Sequence, residues 1–564
     1  MYKSLIIIFF LILNNPIFTY TVSDAFGQNE LVVSSKKEAS EVGVDILKKG
    51  GNAVDAAVGV AFALSVTHPS AGNLGGGGFM VIRLADGTVT TIDFREKAPM
   101  NSSKDMFLDS EGNVVKGSSW STALASGVPG TVAGLGYAHK KYGSMAWFDL
   151  VYPSVQLARF GFPLDYFNTS ILNSEKYSNY LSNDFFSNRY FTKNNGYKLN
   201  ELFIQEDLSE TLLRIAKYGY NEFYFGKTSK LIVDTMARTG GIITAKDLAS
   251  YKPVEREPVF FEYHDYRIFS MPPPSSGGVT LANILNQLEN VNLESLGYKS
   301  ADYIHYFSEV EKRAYADRAM FLGDTDFIDV PIDKLISDEY AYKQFTTIDP
   351  NSALDSYELN KELFVSNNES EETTHFSIVD SFGNAVSLTY TINGWFGNGI
   401  SVNDAGFLLN NEMDDFSIKP GYPNAYGLIG SESNSVYPNK RMLSSMTPTI
   451  VERPDSSLYM VLGSPGGSTI ITTIAQIIVN VINFNMDIDQ AVESKRFHHQ
   501  WIPPYIQIEQ NSFSQNTINA LKQKGHDLVL RSKIGIGEAN CILLDNGYFY
   551  GAADSRRGAI AIGY

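Results

Sequence analysis

The chain has 564 residues, 44% of them hydrophobic and 19% charged, and carries a formal net charge of −17. This is ordinary globular composition, enough for about three or four average domains. The acidic balance, with no long Lys/Arg block, excludes a nucleic-acid binder, because phosphate recognition needs a basic surface.

Near the start, Lys3 precedes an apolar run from Leu5 to Leu13. The run is too short to span a bilayer but suits the apolar region of a signal peptide. Residues 1–24 are therefore expected to be a leader, and the mature protein periplasmic or secreted without a membrane span. No Ala-x-Ala pattern marks where the leader ends. Cys541 is the sole cysteine, so no intramolecular disulfide forms and no lipid-anchored cysteine follows the leader.

Residues 35–49 have the pattern of an amphipathic helix, stopped at Gly50-Gly51, where a left-handed cap is easiest for glycine. Asn52 then caps an Ala/Val-rich helix over 53–66, apolar nearly all round and hence buried. After His68-Pro69 comes Gly72-Asn-Leu-Gly-Gly-Gly-Gly78, then strand patterns at 79–83 and 89–94, with Arg95 at the end of the second. The glycine run lacks the Lys-Ser/Thr of a phosphate loop and implies close backbone packing instead. Helical and mixed patterns fill about 130–340, interrupted by the turn-rich Pro272-Pro-Pro-Ser-Ser-Gly-Gly278. Residues 349–372 are rich in Ser, Asn, Asp and Glu without a steady period, which predicts a mobile loop. Strands follow at 375–379, 385–391, 447–451 and 458–463, and then a helix from about 468 to 481. Short strands followed by helices predict a layered α+β or α/β fold.

The segment 372–391 is the most informative. Asp380 to Asn384 is turn material, which a hairpin loop of up to five residues accommodates. If Val379 faces Ala385, Thr373 lies opposite Thr391, with Cβ atoms about 4.5–5.5 Å apart. In this register Phe376, Ile378, Val386, Leu388 and Tyr390 share an apolar face. The other face carries Thr373, His375, Ser377, Val379, Ala385, Ser387, Thr389 and Thr391. A one-residue slip would mix the two sets. By itself, a Thr–Thr pair of this kind is an ordinary feature of sheets.

Several motifs in sequence order resemble those of the γ-glutamyltranspeptidases. They are Thr373-Thr-His-Phe-Ser-Ile-Val-Asp380, Thr389-Tyr-Thr-Ile-Asn393, Leu408-Leu-Asn-Asn-Glu-Met-Asp-Asp-Phe416, Leu443-Ser-Ser-Met446 and Gly463-Ser-Pro-Gly-Gly467. Upstream, Gly51-Asn-Ala-Val-Asp-Ala-Ala57, the glycine run and Asp93-Phe-Arg-Glu96 resemble the family's large subunit. The resemblance implies an N-terminal-nucleophile hydrolase, a four-layer αββα sandwich of α+β class. It also implies self-cleavage at Glu372–Thr373 into a large subunit (25–372) and a small one (373–564), which remain together as a heterodimer. Thr373 would be the nucleophile and Thr391 its support. Elementary chemistry agrees, because a threonine hydroxyl needs a base and a freed α-amine, of pKa about 7.7–8, can serve.

A γ-glutamyl donor carries an α-carboxylate and an α-ammonium. Arg95 can grip the carboxylate bidentately, and by resemblance Ser444 and Ser445 assist it. Asn393, Glu412 and Asp415 resemble the ammonium side; some bacterial relatives carry glutamine where Glu412 stands. Asp414 has the pattern of a solvated loop acid. Gly466 and Gly467, between a strand and a helix, resemble an oxyanion hole, and Tyr426 the aromatic of a lid loop. The implied substrates are glutathione and other γ-glutamyl amides, with water, amino acids or peptides as acceptors. No cofactor or metal is implied. Leu462-Gly-Ser464-Pro-Gly466 misses the first glycine of a serine-hydrolase elbow, Ser275 and Ser276 lack support as nucleophiles, and His498-His499 have no metal-ligand spacing. The alternatives are a cephalosporin acylase, a poly-γ-glutamate-processing relative, or a non-catalytic binding protein of the same fold.

Overall fold

The computed structural model describes residues 24–359, 373–531 and 535–564. The expected leader up to residue 23, Glu372 and the end of the polar stretch before it lie outside the described residues.

The hairpin forms with the predicted register, from Val379 opposite Ala385 to Thr374 opposite Tyr390. Asp380 closes its turn. One carboxylate oxygen accepts from Phe382 N and Asn384 N at 2.9 and 2.8 Å, and the other accepts from Ala53 N at 2.8 Å. Gly383 supplies the left-handed residue, at φ +95°.

Seven strands of the two large sheets precede the hairpin: β1 (Ala25–Gly27), β2 (Leu31–Ser34), β3 (Gly77–Arg83), β4 (Val89–Asp93), β5 (Val254–Arg256), β6 (Val259–Tyr263) and β7 (Tyr266–Ser270). The hairpin is β8 (Thr374–Val379) and β9 (Ala385–Thr391). After it come β10 (Thr449–Glu452), β11 (Leu458–Leu462), β12 (Asn540–Asp545), β13 (Tyr548–Ala553) and β14 (Ile560–Gly563). They form two seven-stranded antiparallel sheets, ordered β14-β2-β8-β9-β3-β4-β5 and β1-β13-β12-β11-β10-β7-β6.

Helices α1 (Lys37–Lys48) and α2 (Ala53–Thr67) cover the first sheet, packing on Phe376, Ile378, Val386, Leu388 and Tyr390. Every residue of α2 is buried, as its nearly all-apolar sequence predicts, and Asn52 with Asp55 forms the capping box that starts it. Helices α3 (Gly277–Leu288), α4 (Ala301–Phe321) and α5 (Ile470–Ile482) cover the second sheet. Between the sheets, Val379 and Ala385 meet Ile450, Val461 and Ile542. The result is the expected four-layer αββα sandwich.

The hairpin's polar face looks into this inter-sheet layer rather than into solvent. Its groups are satisfied there: His375 Nδ1 with Thr389 Oγ1 at 2.8 Å, Ser377 Oγ to Asn540 O at 2.8 Å and Ser387 Oγ to Leu462 O at 2.7 Å. Burial pushes the His375 imidazole down to about 3, so it stays neutral.

The polar stretch expected as a mobile loop from residue 349 is anchored over its described part. Ala353 N donates to Lys524 O at 2.7 Å, and Trp501 Nε1 donates to Ser356 O at 2.8 Å. Composition alone did not reveal these distant partners.

The glycine run packs backbone on backbone, as expected. A Cβ on Gly76 would stand 1.9 Å from Thr391 O. Gly76 O meanwhile accepts from Gly130 N and Thr131 N at 2.8 and 3.0 Å. Gly76→Ala should destabilise the fold by about 3 kcal/mol or more, since neither backbone can retreat. Thermal melting of the purified variant checks this, and a wild-type midpoint would refute the packing argument.

Candidate active site

Thr373 immediately precedes β8, and continuing the register places it opposite Thr391, the last residue of β9. Both are buried, at 5% and 3% exposure. Asn393 sits in the left-handed region at φ +68°, turning its N–H back to Thr391 Oγ1 at 2.8 Å. Because that oxygen accepts from the backbone, its proton is directed elsewhere.

One cavity is lined by Thr373, Thr391, Arg95, Asn393, Glu412, Asp415, Tyr426, Ser444, Ser445 and Gly467. Of the residues singled out in the sequence, Gly466 is adjacent but does not line it, and Glu372 lies outside the described residues. Arg318, Leu428, Met446 and Ile470, which sequence reasoning missed, complete the wall.

Arg95 is fully buried where β4 ends. Its backbone is held by Asp93, its Nε donates to Met442 O at 3.3 Å, and Tyr251 Oη donates to its carbonyl at 2.8 Å. Its Nη1 pairs with Glu412 and its Nη2 with Asp415, while Glu96 lies 3.5 Å from Nη1. The two sides of the expected pocket therefore touch each other directly. Buried charges left unpaired are costly, and side chains 317 positions apart in sequence supply each other's counter-ions. Burial raises all three carboxyls against the pull of Arg95, Glu96 to about 7 and Glu412 well above the usual range.

Asp414 is not the solvated loop acid expected. It is 5% exposed, accepts from Ser119 Oγ at 2.6 Å and Ala425 N at 2.8 Å, and burial pushes it up to about 6. It thereby ties down the segment that carries Tyr426. The Tyr426 hydroxyl donates to Asn393 Oδ1, and its carbonyl accepts from Gln500 Nε2 at 3.0 Å. A Cβ on Gly467 would stand 2.5 Å from Tyr426 Cδ1, so the ring lies directly against that glycine.

Gly466 and Gly467 have φ of +136° and +55°. Gly466 caps and Gly467 begins a 3-10 turn, Gly467–Thr469, that leads into α5, so they open a tight turn rather than the helix itself. Among the described residues neither amide N–H donates a hydrogen bond, which leaves two donors at the cavity edge. His498 and His499 lie elsewhere, bonded to Thr472 and Gln500, and to Trp501 N, respectively.

A family model described as gamma-glutamyltranspeptidase matches residues 39–564. The glutathione hydrolase proenzyme of Escherichia coli K12 is 47% identical over 529 residues, covering 93% of this chain and 90% of that protein. A solved chain of Helicobacter pylori gamma-glutamyltranspeptidase is 46% identical with a TM-score of 0.57, covering 58% of this chain and 94% of its own. Cephalosporin acylase from Bacillus halodurans shares the fold at a TM-score of 0.81 and 22% identity, with 99% of both chains covered. The full-length relatives and the family model together show that the chain belongs to the gamma-glutamyltranspeptidase family.

Proposed function

We infer that the protein is a self-cleaving γ-glutamyltransferase and glutathione hydrolase whose precursor is cut between Glu372 and Thr373. The observation that carries this reading is the placement of Thr373 at a strand start opposite Thr391, in one cavity with Arg95, Glu412 and Asp415. Cleavage gives Thr373 a free α-amine, which takes the proton of its own hydroxyl. With its oxygen held by Asn393 N, Thr391 turns its hydroxyl proton toward Thr373. Thr373 Oγ bonds to the γ-carbonyl carbon, and the Gly466 and Gly467 N–H groups hold the oxyanion. The C–N bond then breaks, the ammonium returns its proton to the departing amine, and the γ-glutamyl group remains on Thr373 as an ester. Water or the amine of an amino acid or peptide then attacks that ester and frees Thr373.

The donor's zwitterionic end fits the charge layout. Its carboxylate would engage Arg95, Ser444 and Ser445, and its ammonium Asn393, Glu412 and Asp415, exchanging the internal ion pairs for external ones. A glutaryl donor has no ammonium and would leave the buried acids without that partner. Tyr426, folded over Gly467, suits a single glutamyl unit better than a polymer. The likeness to cephalosporin acylase is one of fold and gives no ground for that substrate. Residues 1–24 would export the precursor to the periplasm or medium, and the pieces 25–372 and 373–564 would stay together as a heterodimer. Among the described residues, no helix is long and apolar enough to cross a membrane.

Release rates from glutathione, a glutaryl-cephalosporin and poly-γ-glutamate test the assignment. Glutathione should be the best donor by at least about tenfold, the ratio set by one unsatisfied polar contact. Preferred release from either of the others would overturn it.

A further inference from the structure

The ring of Tyr426 lies against Gly467 because the backbone that carries it is held from behind. Within its own stretch of chain, Asn424 Oδ1 accepts from Tyr426 N at 2.9 Å and from Leu428 N at 3.1 Å, and Asp414 accepts from Ala425 N. These contacts shape the turn. Gln500, 74 positions further on, ties the turn to the body of the protein, its Nε2 donating to Tyr426 O at 3.0 Å. Gln500 is 3% exposed and is not part of the cavity wall.

The direction of each bond in this network follows from its partners. Gln500 Nε2 also donates to Ile502 O at 3.3 Å, and two carbonyl partners leave the amide no freedom to flip. Its Oε1 is then an acceptor, so His498 Nε2, 2.9 Å away, carries the proton. Burial pushes the His498 imidazole down to about 4, which keeps it neutral. A neutral imidazole has one N–H, so His498 Nδ1 accepts from Thr472 Oγ1 at 2.8 Å. The Thr472 hydroxyl has a second acceptor in reach, Thr469 O at 3.1 Å, but the bare Nδ1 lone pair is the closer one. The chain therefore runs from Thr472 to His498 to Gln500 to Tyr426, each group donating to the next. Thr472 stands in the first turn of α5, directly after the Gly467–Thr469 turn. One relay thus ties the Tyr426 carbonyl to the helix that follows the two glycines.

We propose that Gln500 is a positioning residue for the donor pocket, a latch that holds Tyr426 in its closed place, with His498 setting the latch. The proposal rests on the reading of Tyr426 as a lid over the γ-glutamyl group. Gln500 acts through the Tyr426 carbonyl, on a ring whose hydroxyl meets Asn393 and whose carbons meet Gly467.

The experiment reads two constants: KM for γ-glutamyl-p-nitroanilide, and the inhibition constant of L-glutamate, which occupies the donor pocket without reacting. Gln500→Met keeps the length of the side chain and removes both arms of the amide. It should raise both constants by about 3- to 10-fold, as expected for one neutral hydrogen bond, with kcat within about twofold of wild type. His498→Leu should give a smaller rise. His498→Gln, which restores an N–H near the Nε2 position, should bring both constants back to within about twofold. The deciding arm is the Tyr426→Ala background, where the lid has no ring to hold. There Gln500→Met should change the glutamate constant by less than about twofold, because the two residues act as one unit. A residue that merely supports the fold would cost as much there as in the wild type, and such additivity would overturn the proposal. Unchanged constants in Gln500→Met alone would overturn it as well. If Gln500→Met does not fold, His498→Leu and His498→Gln decide in the same two backgrounds. A wild-type protein that releases nothing from the γ-glutamyl donor would fail the functional assignment and the latch with it. A Tyr426→Ala protein with wild-type constants would fail the lid. Both outcomes differ from a failure of the latch alone, in which only the Gln500 and His498 variants depart from expectation.

Discussion

Thr373→Ala is expected to abolish both cleavage and turnover. On a denaturing gel the wild type should separate into bands near the sizes of 25–372 and 373–564, and the variant should remain one band. Without a hydroxyl there is no atom to attack the preceding carbonyl and none to carry an acyl group afterwards. Turnover should drop by about 10⁴-fold or more, the usual consequence of deleting a nucleophile. Thr373→Ser keeps the oxygen and should cleave and turn over, more slowly, because the rotamer stiffness of threonine is lost. N-terminal sequencing of the small piece must return Thr373 first. A Thr373→Ala protein that still splits there would sink both the cut site and the nucleophile.

The second large effect should come from Arg95→Met. It removes the cation shared by Glu412, Asp415 and Glu96, all three inside the protein. Breaking a buried pair by deleting one partner costs about 3–5 kcal/mol, and here the deletion orphans a cluster. The acids would respond by taking up protons, so the loss should be larger at pH 8 than at pH 6. The sign comes from linkage. These carboxyls already stand above their ordinary values, and removing the arginine raises them further. The native variant then binds more protons than the unfolded chain over a wider range, and its stability falls as pH rises. Urea unfolding at the two pH values provides the measurement. A loss below about 1 kcal/mol at both would mean that Arg95 does not hold the cluster together.

The local parts of this structure were legible because their causes are local. The hairpin register follows from Asp380, whose carboxylate closes the turn, and from an alternation that tolerates no slip. Asn52 and the nearly all-apolar run after it specify α2 in the same way. The long-range pairings were not legible. Nothing near Arg95 announces that Glu412 and Asp415 will meet it, and Asp414 resembles its solvated counterparts until Ser119 and Ala425 arrive from elsewhere. Arg318 was hidden differently. Helix α4 buries charged residues on many faces, including Glu309, Glu311, Lys312 and Arg313, so one more arginine carried no distinguishing period. The signal available was its setting among small residues, Ala314, Ala316 and Ala319, where a long cation needs a polar destination. For the catalytic constellation, family motifs supplied what physical reasoning about a Thr–Thr pair could not.

The strand order also decides when the two pieces can come together. In the first sheet β14, β8 and β9 come from beyond residue 373 and alternate with β2 and β3 from before it. In the second, β1 and the pair β6 and β7 flank four strands from the later segment. After a cut before Thr373, neither polypeptide owns a complete sheet or a complete core. The two pieces therefore have no folded existence apart, and dilution cannot titrate them into native halves as it would a docked pair of domains. Assembly is settled once, while the chain is still continuous and the effective concentration of each half for the other is set by its own backbone. A cut before Thr373 would have to follow folding, because only the continuous chain brings both sets of strands together.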